Sequence, residues 1–325
     1  MITHDRFVGI AYVLGYGSFG ETSKLCLDSL LSQIANHPNL KVVAIDNGSP
    51  DDSPSRLKAY ATDKANLDCI YIEQNLGFAG GMNRCVEPDR SDWIILVNSD
   101  IVFPENSINA LLNALQSAPE DVGMVTPLTN NAGNGQCLRF DETSELTSSV
   151  ALHGLTELRS NLLVPIYRAD FCCVAIRSAL WKKLGGLDLS FGVGYFEDFE
   201  FSLRAKKEGG VICVSEDWFV FHAGSKSFKN RKAVDELIRK NKSILRNKHP
   251  EAIFEHARNE TYRICSYIIG KVSVETDKNK RKALLFRLRL HINSLKHLQP
   301  KSLIKRAFWT SRRLGLENIL RKFSK

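Results

Sequence analysis

Single ionisable side chains stand at the ends of apolar runs in this sequence, where they could bind a charged ligand. Asp46 and His222 each follow such a run at once, and Asp100 comes three residues after another. A carboxylate placed there can accept hydrogen bonds from a nucleobase or a ribose, or hold Mg²⁺ or Mn²⁺ beside phosphate oxygens. Each residue also has a purely structural interpretation: an Asx turn at Asp46, a helix N-cap at Asp100 and a buried histidine at His222.

Two adjacent acids, Glu197 and Asp198, open a predicted helix that ends at the glycines 209–210. The helix dipole favours acids in a first turn, which is the structural interpretation of the pair. Aromatic residues on both sides, among them Phe196 and Phe199, would withdraw a carboxylate from water. Because desolvation raises a carboxyl pKa toward the range useful to a general base, the pair is a candidate for acid–base chemistry.

Alternating strands and helices would position these side chains. The apolar runs 7–14, 42–45, 67–72 and 93–97 predict buried strands, and helices with one apolar face are predicted near 27–34 and 105–116. Strands 171–176, 211–214 and 218–221 and a helix over 197–208 follow, while the polar stretch 127–168 predicts a loop or substrate-facing insertion. This order is typical of an α/β fold with a mostly parallel sheet covered on both faces. Ligands of such sheets bind at the carboxyl ends of the strands, where the polar clusters lie.

The segment Gly15–Gly20 matches the pattern G-x-G-x-x-G between a strand and a helix, which suggests a dinucleotide-binding turn. The acid that would bind the ribose is displaced, because Asp46 lies 26 positions after Gly20 and is followed by turn residues. A strand-to-helix loop near a nucleotide base explains the glycines better. A nicotinamide-dependent oxidoreductase remains the weakest of the functions considered.

The formal net charge of +8 conceals two regions of opposite sign. Residues 1–225 carry 17 basic and 28 acidic side chains, whereas residues 226–325 carry 27 basic and 8 acidic ones. The sequence therefore predicts two domains, 1–225 and 226–325. No nucleic-acid partner is expected, because no recognised binding motif is present and the acidic region would repel phosphate.

The eight cysteines form no C-x-x-C pair, which predicts reduced, buried thiols and a cytoplasmic location. Met1–Arg6 is polar and lacks the apolar core of a signal peptide. No run of about 18 apolar residues is present, so any membrane contact is expected to be peripheral.

Taken in order, the motifs resemble glycosyltransferase family 2, over residues 8–228. They are Ile45–Ser49, Asn75–Asn83, Leu96–Asp100, Gly185–Asp188, Tyr195–Asp198 and His222–Ser225. The segment Asn75–Asn83 and the spacing of the later motifs are most similar to the rhamnosyltransferase-like branch, whose members build bacterial O-antigen, capsule or related surface glycans. The resemblance implies the GT-A fold and an inverting transfer of a sugar, with rhamnose as one candidate, from a nucleoside diphosphate donor.

The resemblance also implies roles for individual residues. Asp198 would deprotonate the acceptor hydroxyl, with Glu197 beside it in the catalytic pair. Asp100 and His222 would bind a divalent metal, Mg²⁺ or Mn²⁺. The donor would be bound by Asp46, Asn47, Gly48, Asn75, Gly77, Phe78, Gly81, Asn83, Asn98 and Ser99. Because Asn98 stands where the family's metal motif begins with Asp, only one carboxylate remains there and the need for a metal is left open.

The basic region 226–325 has no motif for chemistry and is predicted to be helical. Leucines and isoleucines between Leu284 and Leu298 form one helical face, and a second apolar set runs from Leu303 to Phe323. Lysines and arginines, Arg287 among them, are interspersed, which suits an anionic membrane surface. A packed helical subdomain with a solvated basic face is the alternative.

We therefore expect a cytoplasmic enzyme, peripheral at the inner face of the membrane, with a lipid-linked or oligosaccharide acceptor. A nucleotide-sugar-binding protein without turnover is the main alternative, suggested by Asn98.

Overall fold

The structure is a computed structural model that describes residues 7–140, 147–224, 231–300 and 302–323. The predicted domain boundary at residue 225 and the segment Met1–Arg6 lie outside the described residues. The strands are β1 Phe7–Gly15, β2 Leu40–Asn47, β3 Leu67–Ile72, β4 Ser91–Asn98, β5 Ile101–Val102, β6 Val122–Thr129, β7 Leu163–Pro165, β8 Cys173–Arg177 and β9 Val211–His222.

Eleven helices occur in the described part of the chain. They are α1 Ser23–Ile34, α2 Ser53–Ala61, α3 Gly77–Cys85, α4 Ser107–Ser117, α5 Ser148–Glu157, α6 Ser178–Leu184, α7 Glu197–Lys207, α8 Arg231–Lys248, α9 Ala257–Val274, α10 Lys278–His297 and α11 Leu303–Phe323. A single 3₁₀ turn, Leu189–Phe191, lies between α6 and α7. None of these helices is long and apolar enough to cross a membrane.

The strands form one mixed sheet in the order β3-β2-β1-β4-β8-β6-β9-β5, with β7 also paired to β9. Neighbours among β1 to β4 are parallel, as are β6 and β9. Strand β8 is antiparallel to both of its neighbours. The parallel half of the sheet carries the strand–helix alternation predicted from the sequence, and its carboxyl ends meet at one edge.

Helices cover both faces of the sheet, and the alternating side chains of β1 show why. Ala11 and Val13 contribute to one apolar core with α1 and α4, whereas Ile10 and Tyr12 contribute to another with α3, α6 and α7. Because successive side chains of a strand point to opposite faces, a strand buried on both sides is apolar throughout.

The prediction of two short strands over 211–214 and 218–221 is wrong, because β9 is continuous from Val211 to His222. Its register against β6 shifts between Ser215 and Phe219, so that Glu216–Trp218 form a bulge. Glu216 and Asp217 interrupt the apolar pattern of β9, and both carboxylates contact side chains of α10.

The prediction of a loop over the whole of 127–168 is also wrong. The stretch contains the end of β6, helix α5 and strand β7. Thr147 caps α5 by accepting a hydrogen bond from the backbone N–H of Val150 at 3.3 Å. The apolar side of α5, with Ala151 and Leu155, packs against the C-terminal helices, which a local pattern search does not consider.

The helices α9 and α10 share one apolar core with the sheet. Ile268 of α9 and Leu288 of α10 lie in the same cluster as Val214 and Phe219 of β9. The prediction that Arg287 lies on an exposed basic face, toward a membrane or toward solvent, is wrong: Arg287 is 0% exposed, and its guanidinium contacts Asp217 of the β9 bulge at 2.8 Å. The neighbouring His291 contacts both carboxylate oxygens of Glu216 at 3.0 and 2.9 Å.

Candidate active site

The ends of β1, β2 and β4 bring the first predicted site residues to one edge of the sheet. Gly15 pairs with Asp46, and Leu14 pairs with Asn98 on the other side of β1. Asn98 ends β4, and Ser99 and Asp100 follow it as partly exposed residues. Fold topology alone thus places the Asp46 and Asp100 motifs beside each other.

Asp46 is buried and forms an Asx turn. Its carboxylate accepts hydrogen bonds from the Ser49 backbone N–H at 3.0 Å and the Ser49 hydroxyl at 2.5 Å. The same hydroxyl oxygen accepts the N–H of Gly17 at 2.7 Å, which ties the glycine loop to the turn after β2.

Three consecutive backbone donors of the glycine loop 15–20 are occupied by side chains of the turn after β2 and the start of α2. Besides Gly17, the N–H of Ser18 donates to Asp51 at 2.9 Å and that of Phe19 donates to Ser53 at 3.1 Å. A dinucleotide turn needs such donors free to face a pyrophosphate. The loop therefore does not support an oxidoreductase.

Asn47 holds the loop that leads from β3 into α3. Its amide donates to the carbonyl of Gly77 at 3.0 Å and accepts the N–H of Leu76 at 3.2 Å; it also donates to Asn75 Oδ1 at 3.2 Å. Gly48 has φ +74°, and a Cβ there would lie 2.4 Å from the Gln74 carbonyl carbon. Only glycine fits this approach of the two loops.

The rest of the motif Asn75–Asn83 forms the start of α3 and contacts the segment before α7. Gly77, at φ +70°, lies so close to the Gly192 carbonyl that a Cβ would approach it to 2.6 Å. Asn83 uses both ends of its amide on the backbone of Leu187, at 2.8 Å each. Gly81 packs against Leu14, and Phe78 packs beside the core under the sheet.

Asp100 and His222 meet because β5 pairs antiparallel with the end of β9, with Ile101 opposite His222. The Oδ2 atom of Asp100 lies 3.4 Å from Nε2 of His222, and Nδ1 of the histidine lies 2.8 Å from the carbonyl oxygen of Asn131. Since a carbonyl only accepts, Nδ1 carries its proton and Nε2 of the neutral ring presents a lone pair to the carboxylate. A proton or a cation between Nε2 and Oδ2 removes this repulsion. Burial lowers the pKa of His222, but Asp100, Asn131 and Asp170 raise it, and the net direction is upward.

The pair Asp100 and His222 fits a cation that takes one carboxylate and one imidazole and completes its shell with phosphate oxygens. Mn²⁺ accepts both ligand types, whereas Mg²⁺ strongly favours oxygen. Within the described ranges there is no group of three or more ligating side chains. Tight metal binding in the absence of a phosphate ligand is therefore not expected from these residues.

Glu197 and Asp198 begin α7, directly after two residues with left-handed backbone conformation, Tyr195 and Phe196. Glu197 is only 8% exposed, and its Oε2 atom has no hydrogen-bond partner among the described residues. Burial and the charges of Asp198 and Asp170 raise the pKa of Glu197. Burial and then Asp170 raise the pKa of Asp198, while Arg168 acts in the opposite direction.

Asp170 is a member of this site that the sequence interpretation missed. It accepts backbone hydrogen bonds from Gly133 and Cys172, each at 3.2 Å, and its charge raises the pKa of Glu197, Asp198 and His222. It therefore lies within electrostatic reach of both the acidic pair and the Asp100–His222 pair. Its only sequence signal is an acid immediately before the buried run 171–176, within two residues of a stretch interpreted as a loop.

Residues 20–184 match the family described as glycosyl transferase family 2. The match covers half of the chain, so the chain belongs to that family and is a glycosyltransferase. The N-acetylglucosaminyl-diphospho-decaprenol L-rhamnosyltransferase of Mycobacterium tuberculosis is 24% identical over 217 residues, which are 58% of this chain and 68% of that protein. The predicted kinship with the rhamnosyltransferase-like branch is thereby confirmed.

Solved structures show the same fold. The Pyrobaculum calidifontis mannosyltransferase PcManGT, in complex with GDP-Man and Mn²⁺, has a TM-score of 0.50 at 15% identity, covering 98% of this chain and 83% of that one. GalNAc-T7 with UDP, GalNAc and Mn²⁺ has a TM-score of 0.56 at 13% identity, covering 92% and 60%. Staphylococcus aureus TarS 1–349, in complex with UDP-GlcNAc, has a TM-score of 0.50 at 13% identity, covering 88% and 81%. The predicted GT-A fold is thereby confirmed.

Proposed function

We propose that this glycosyltransferase transfers a sugar with inversion from a nucleoside diphosphate donor to a glycan or lipid-linked acceptor in the synthesis of a bacterial surface polysaccharide. The observation that carries the proposal is the pair of adjacent carboxyls at the start of α7, buried Glu197 and partly buried Asp198, whose raised pKa values reflect desolvation and the charge of Asp170, which also acts on His222. A base and an anion-neutralising site, here both within electrostatic reach of Asp170, are what a displacement at an anomeric carbon requires.

In this reaction Asp198 takes the proton of the acceptor hydroxyl, and the acceptor oxygen forms a bond to the anomeric carbon. The bond from that carbon to the diphosphate oxygen breaks, and its electron pair leaves with the nucleoside diphosphate. Attack from the face opposite the leaving group inverts the configuration. Burial of Asp198 favours the proton transfer, because the ionised carboxylate is more basic there than in water.

Asp100 and His222 would hold a divalent ion, which when bound neutralises charge on the departing diphosphate. Asn131 fixes the tautomer that leaves Nε2 of His222 free for this role. Support also comes from the Mn²⁺ bound in PcManGT and GalNAc-T7. With Asn98 in place of an acid, the ion would be retained mainly together with the donor.

The donor would lie over the edge formed by β1, β2 and β4, with Asp46 at the nucleoside. We assign direct donor contacts to the exposed parts of Asn98 and Ser99 and to the carboxylate of Asp46, which Ser49 holds at the end of β2. Asn47, Gly48, Gly77, Gly81 and Asn83 would act by shaping the loops around the donor, because their contacts are to the protein itself. The rhamnosyltransferase relative supports a rhamnose donor and a lipid-linked acceptor.

We further propose that α11 contacts the anionic inner face of the cytoplasmic membrane, where such an acceptor would be met. Helix α10 is largely buried, whereas α11 leaves Phe308 56% and Leu314 46% exposed. Residues 305–323 carry six basic side chains and one acidic one. Exposed apolar residues among basic ones suit an anionic bilayer surface.

Vesicle sedimentation tests this membrane contact. The full chain is expected to bind vesicles containing phosphatidylglycerol and not pure phosphatidylcholine, and Phe308→Ser should weaken binding about tenfold through lost apolar burial. Val274→Ser is the matched control, because Val274 is an apolar residue that is 75% exposed on α9 and not on α11. Equal binding by the Phe308→Ser variant and wild type would contradict the proposal.

The transfer itself is tested with a panel of nucleotide sugars. A donor that raises the melting temperature is incubated with Mn²⁺ and candidate acceptors, and the anomeric configuration of the product is determined by NMR. Transfer with inversion supports the proposal, and retention overturns the mechanism. A donor that binds without hydrolysis or transfer would instead indicate a nucleotide-sugar-binding protein.

A further inference from the structure

Helix α8 packs one face against the segment that leads into the acidic pair. Asn241, Leu245 and His249 follow one another at intervals of four residues, and all three are buried. The chain from Asp188 to Phe196 passes beneath this face and continues directly into Glu197 and Asp198. The sequence alone predicts no chemistry for α8.

The backbone of residues 188–196 contains a strained turn that contacts from outside the segment must hold in place. Tyr195 has φ +72° and Phe196 has φ +79°, two adjacent aromatic residues in the left-handed region. A residue other than glycine is strained in this region and keeps the conformation only where its surroundings hold it. The acid pair follows immediately, so the direction of Asp198 depends on these torsions.

Asn241 supplies the holding contacts. Its side-chain nitrogen lies 2.8 Å from the carbonyl oxygen of Phe191, 2.9 Å from that of Gly194 and 3.0 Å from that of Tyr195, so that its two N–H groups serve three acceptors and one of them is shared. The opposite orientation of the amide is excluded, because it would point the amide oxygen at three carbonyl oxygens. The Oδ1 atom of Asn241 is buried and has no hydrogen-bond partner among the described residues. The side chain therefore donates to the segment although its own acceptor stays unsatisfied.

Neighbouring contacts of α8 fix both ends of the segment. Leu245 lies in an apolar cluster with Phe191 and Phe199. At the beginning of the segment Lys248 forms an ion pair with Asp188, and beyond its end His249 lies 3.3 Å from Glu200 of α7. The helix therefore acts on the segment as a clamp of apolar, ionic and hydrogen-bonding contacts.

We propose that α8 positions the catalytic acids, with Asn241 as the positioning residue that keeps residues 191–196 in the left-handed turn preceding Glu197 and Asp198. The proposal rests on the proposed role of Asp198 as the base. A positioning residue acts on the chemical step, and Asn241 donates to Phe191, Gly194 and Tyr195 and to none of the residues assigned to the nucleoside, Asp46, Asn98 and Ser99. Loss of the Asn241 amide should therefore lower kcat and leave nucleotide affinity unchanged.

The test uses the full chain with Asn241→Leu, which removes the donor at similar volume. We expect kcat to fall about 10- to 100-fold, as small misplacements of reacting groups do, with the Kd of the best-binding nucleoside diphosphate among UDP, GDP and dTDP changed less than twofold. Amide hydrogen exchange of residues 191–198 should become faster. Asn247→Ala is the matched control, because Asn247 is exposed on the same helix.

An Asn241→Leu variant with wild-type kcat would overturn the proposal. The proposal would also be overturned if kcat fell by the same factor as the number of nucleotide-binding sites per protein, because that result would indicate a smaller fraction of folded enzyme. If the wild type itself shows no transfer, the proposed function fails. Hydrogen exchange in Asn241→Leu still decides separately whether this side chain holds the segment.

Discussion

At the scale of single residues, the site depends on charges that are kept close together and partly away from water. Asp198 gains basicity from burial and from Asp170, and His222 is set opposite Asp100 by a carbonyl that fixes its tautomer. These arrangements join residues from four separate stretches of the chain, near 100, 170, 198 and 222. The motifs at three of them could be recognised from the sequence, whereas Asp170 could not, because no motif marks it.

The raised pKa of Asp198 predicts the pH dependence of transfer. A base must be ionised, so kcat should fall on the acid side with a midpoint above the value of about 3.9 for an unperturbed Asp. Replacing Asp170 by Asn removes a negative charge that raises the pKa of Asp198, so the midpoint should move to lower pH. A kcat–pH profile of both proteins measures this, and a midpoint that stays or rises in Asp170→Asn would contradict it.

Asp100→Ala should abolish the effect of Mn²⁺ on nucleotide binding, because it removes the one carboxylate of the proposed ion site. Calorimetric titration with a nucleoside diphosphate, with and without Mn²⁺, gives the measurement. Asp121→Ala is the control, since Asp121 is an exposed acid directly before β6, whereas Asn130, which contacts His222 of the proposed ion site, follows the other end of that strand. Equal gains in affinity from Mn²⁺ in Asp100→Ala and wild type would exclude Asp100 as a ligand.

At the scale of elements, the bulge of β9 shows where the sequence was misleading. Strands β1 to β4 were predicted because each is a single apolar run, and buried parallel strands need no other signal. Glu216 and Asp217 divide the apolar pattern of β9, and the sequence places Arg287 on an exposed basic face. Both errors have one cause: Asp217 and Arg287 form a buried ion pair across 70 residues of sequence, which local patterns do not register.

The contact between Asp217 and Arg287 predicts unequal effects of two substitutions. Asp217 also accepts hydrogen bonds from Ser160 and Asn161, so Asp217→Ala leaves a buried guanidinium without its carboxylate and two backbone N–H groups and one hydroxyl without their acceptor. We expect a loss of about 3–5 kcal/mol of unfolding free energy, as for other broken buried pairs, and a smaller loss for Arg287→Met. Urea denaturation followed by circular dichroism gives both values, and a larger loss in Arg287→Met would contradict this account.

At the scale of the whole molecule, the acidic and basic regions of the sequence are joined by a shared core. We keep the division at residue 225 as a proposal about function, with sugar transfer in the first region and membrane contact in the second. It does not describe two units that fold apart, because the C-terminal helices cover Val214 and Phe219 of the sheet and contact the carboxylates of Glu216 and Asp217.

A chain that ends at residue 225 is therefore expected not to fold. It would expose the apolar surface that α9 and α10 cover and leave the carboxylates of the bulge without their partners. Expression as insoluble protein, or a soluble product without a cooperative thermal transition, is the expected result. A cooperative transition near that of the full chain would show that the first region is independent.

The most direct test of the central claim compares nucleotide binding and sugar transfer in Asp198→Asn and wild type. The account predicts that the variant binds the donor nucleotide within about twofold of wild type, while its kcat falls about 100- to 10,000-fold, the share contributed by a general base. Asp121→Asn serves as the control. Transfer by Asp198→Asn at the wild-type rate would contradict the assignment of Asp198 as the base.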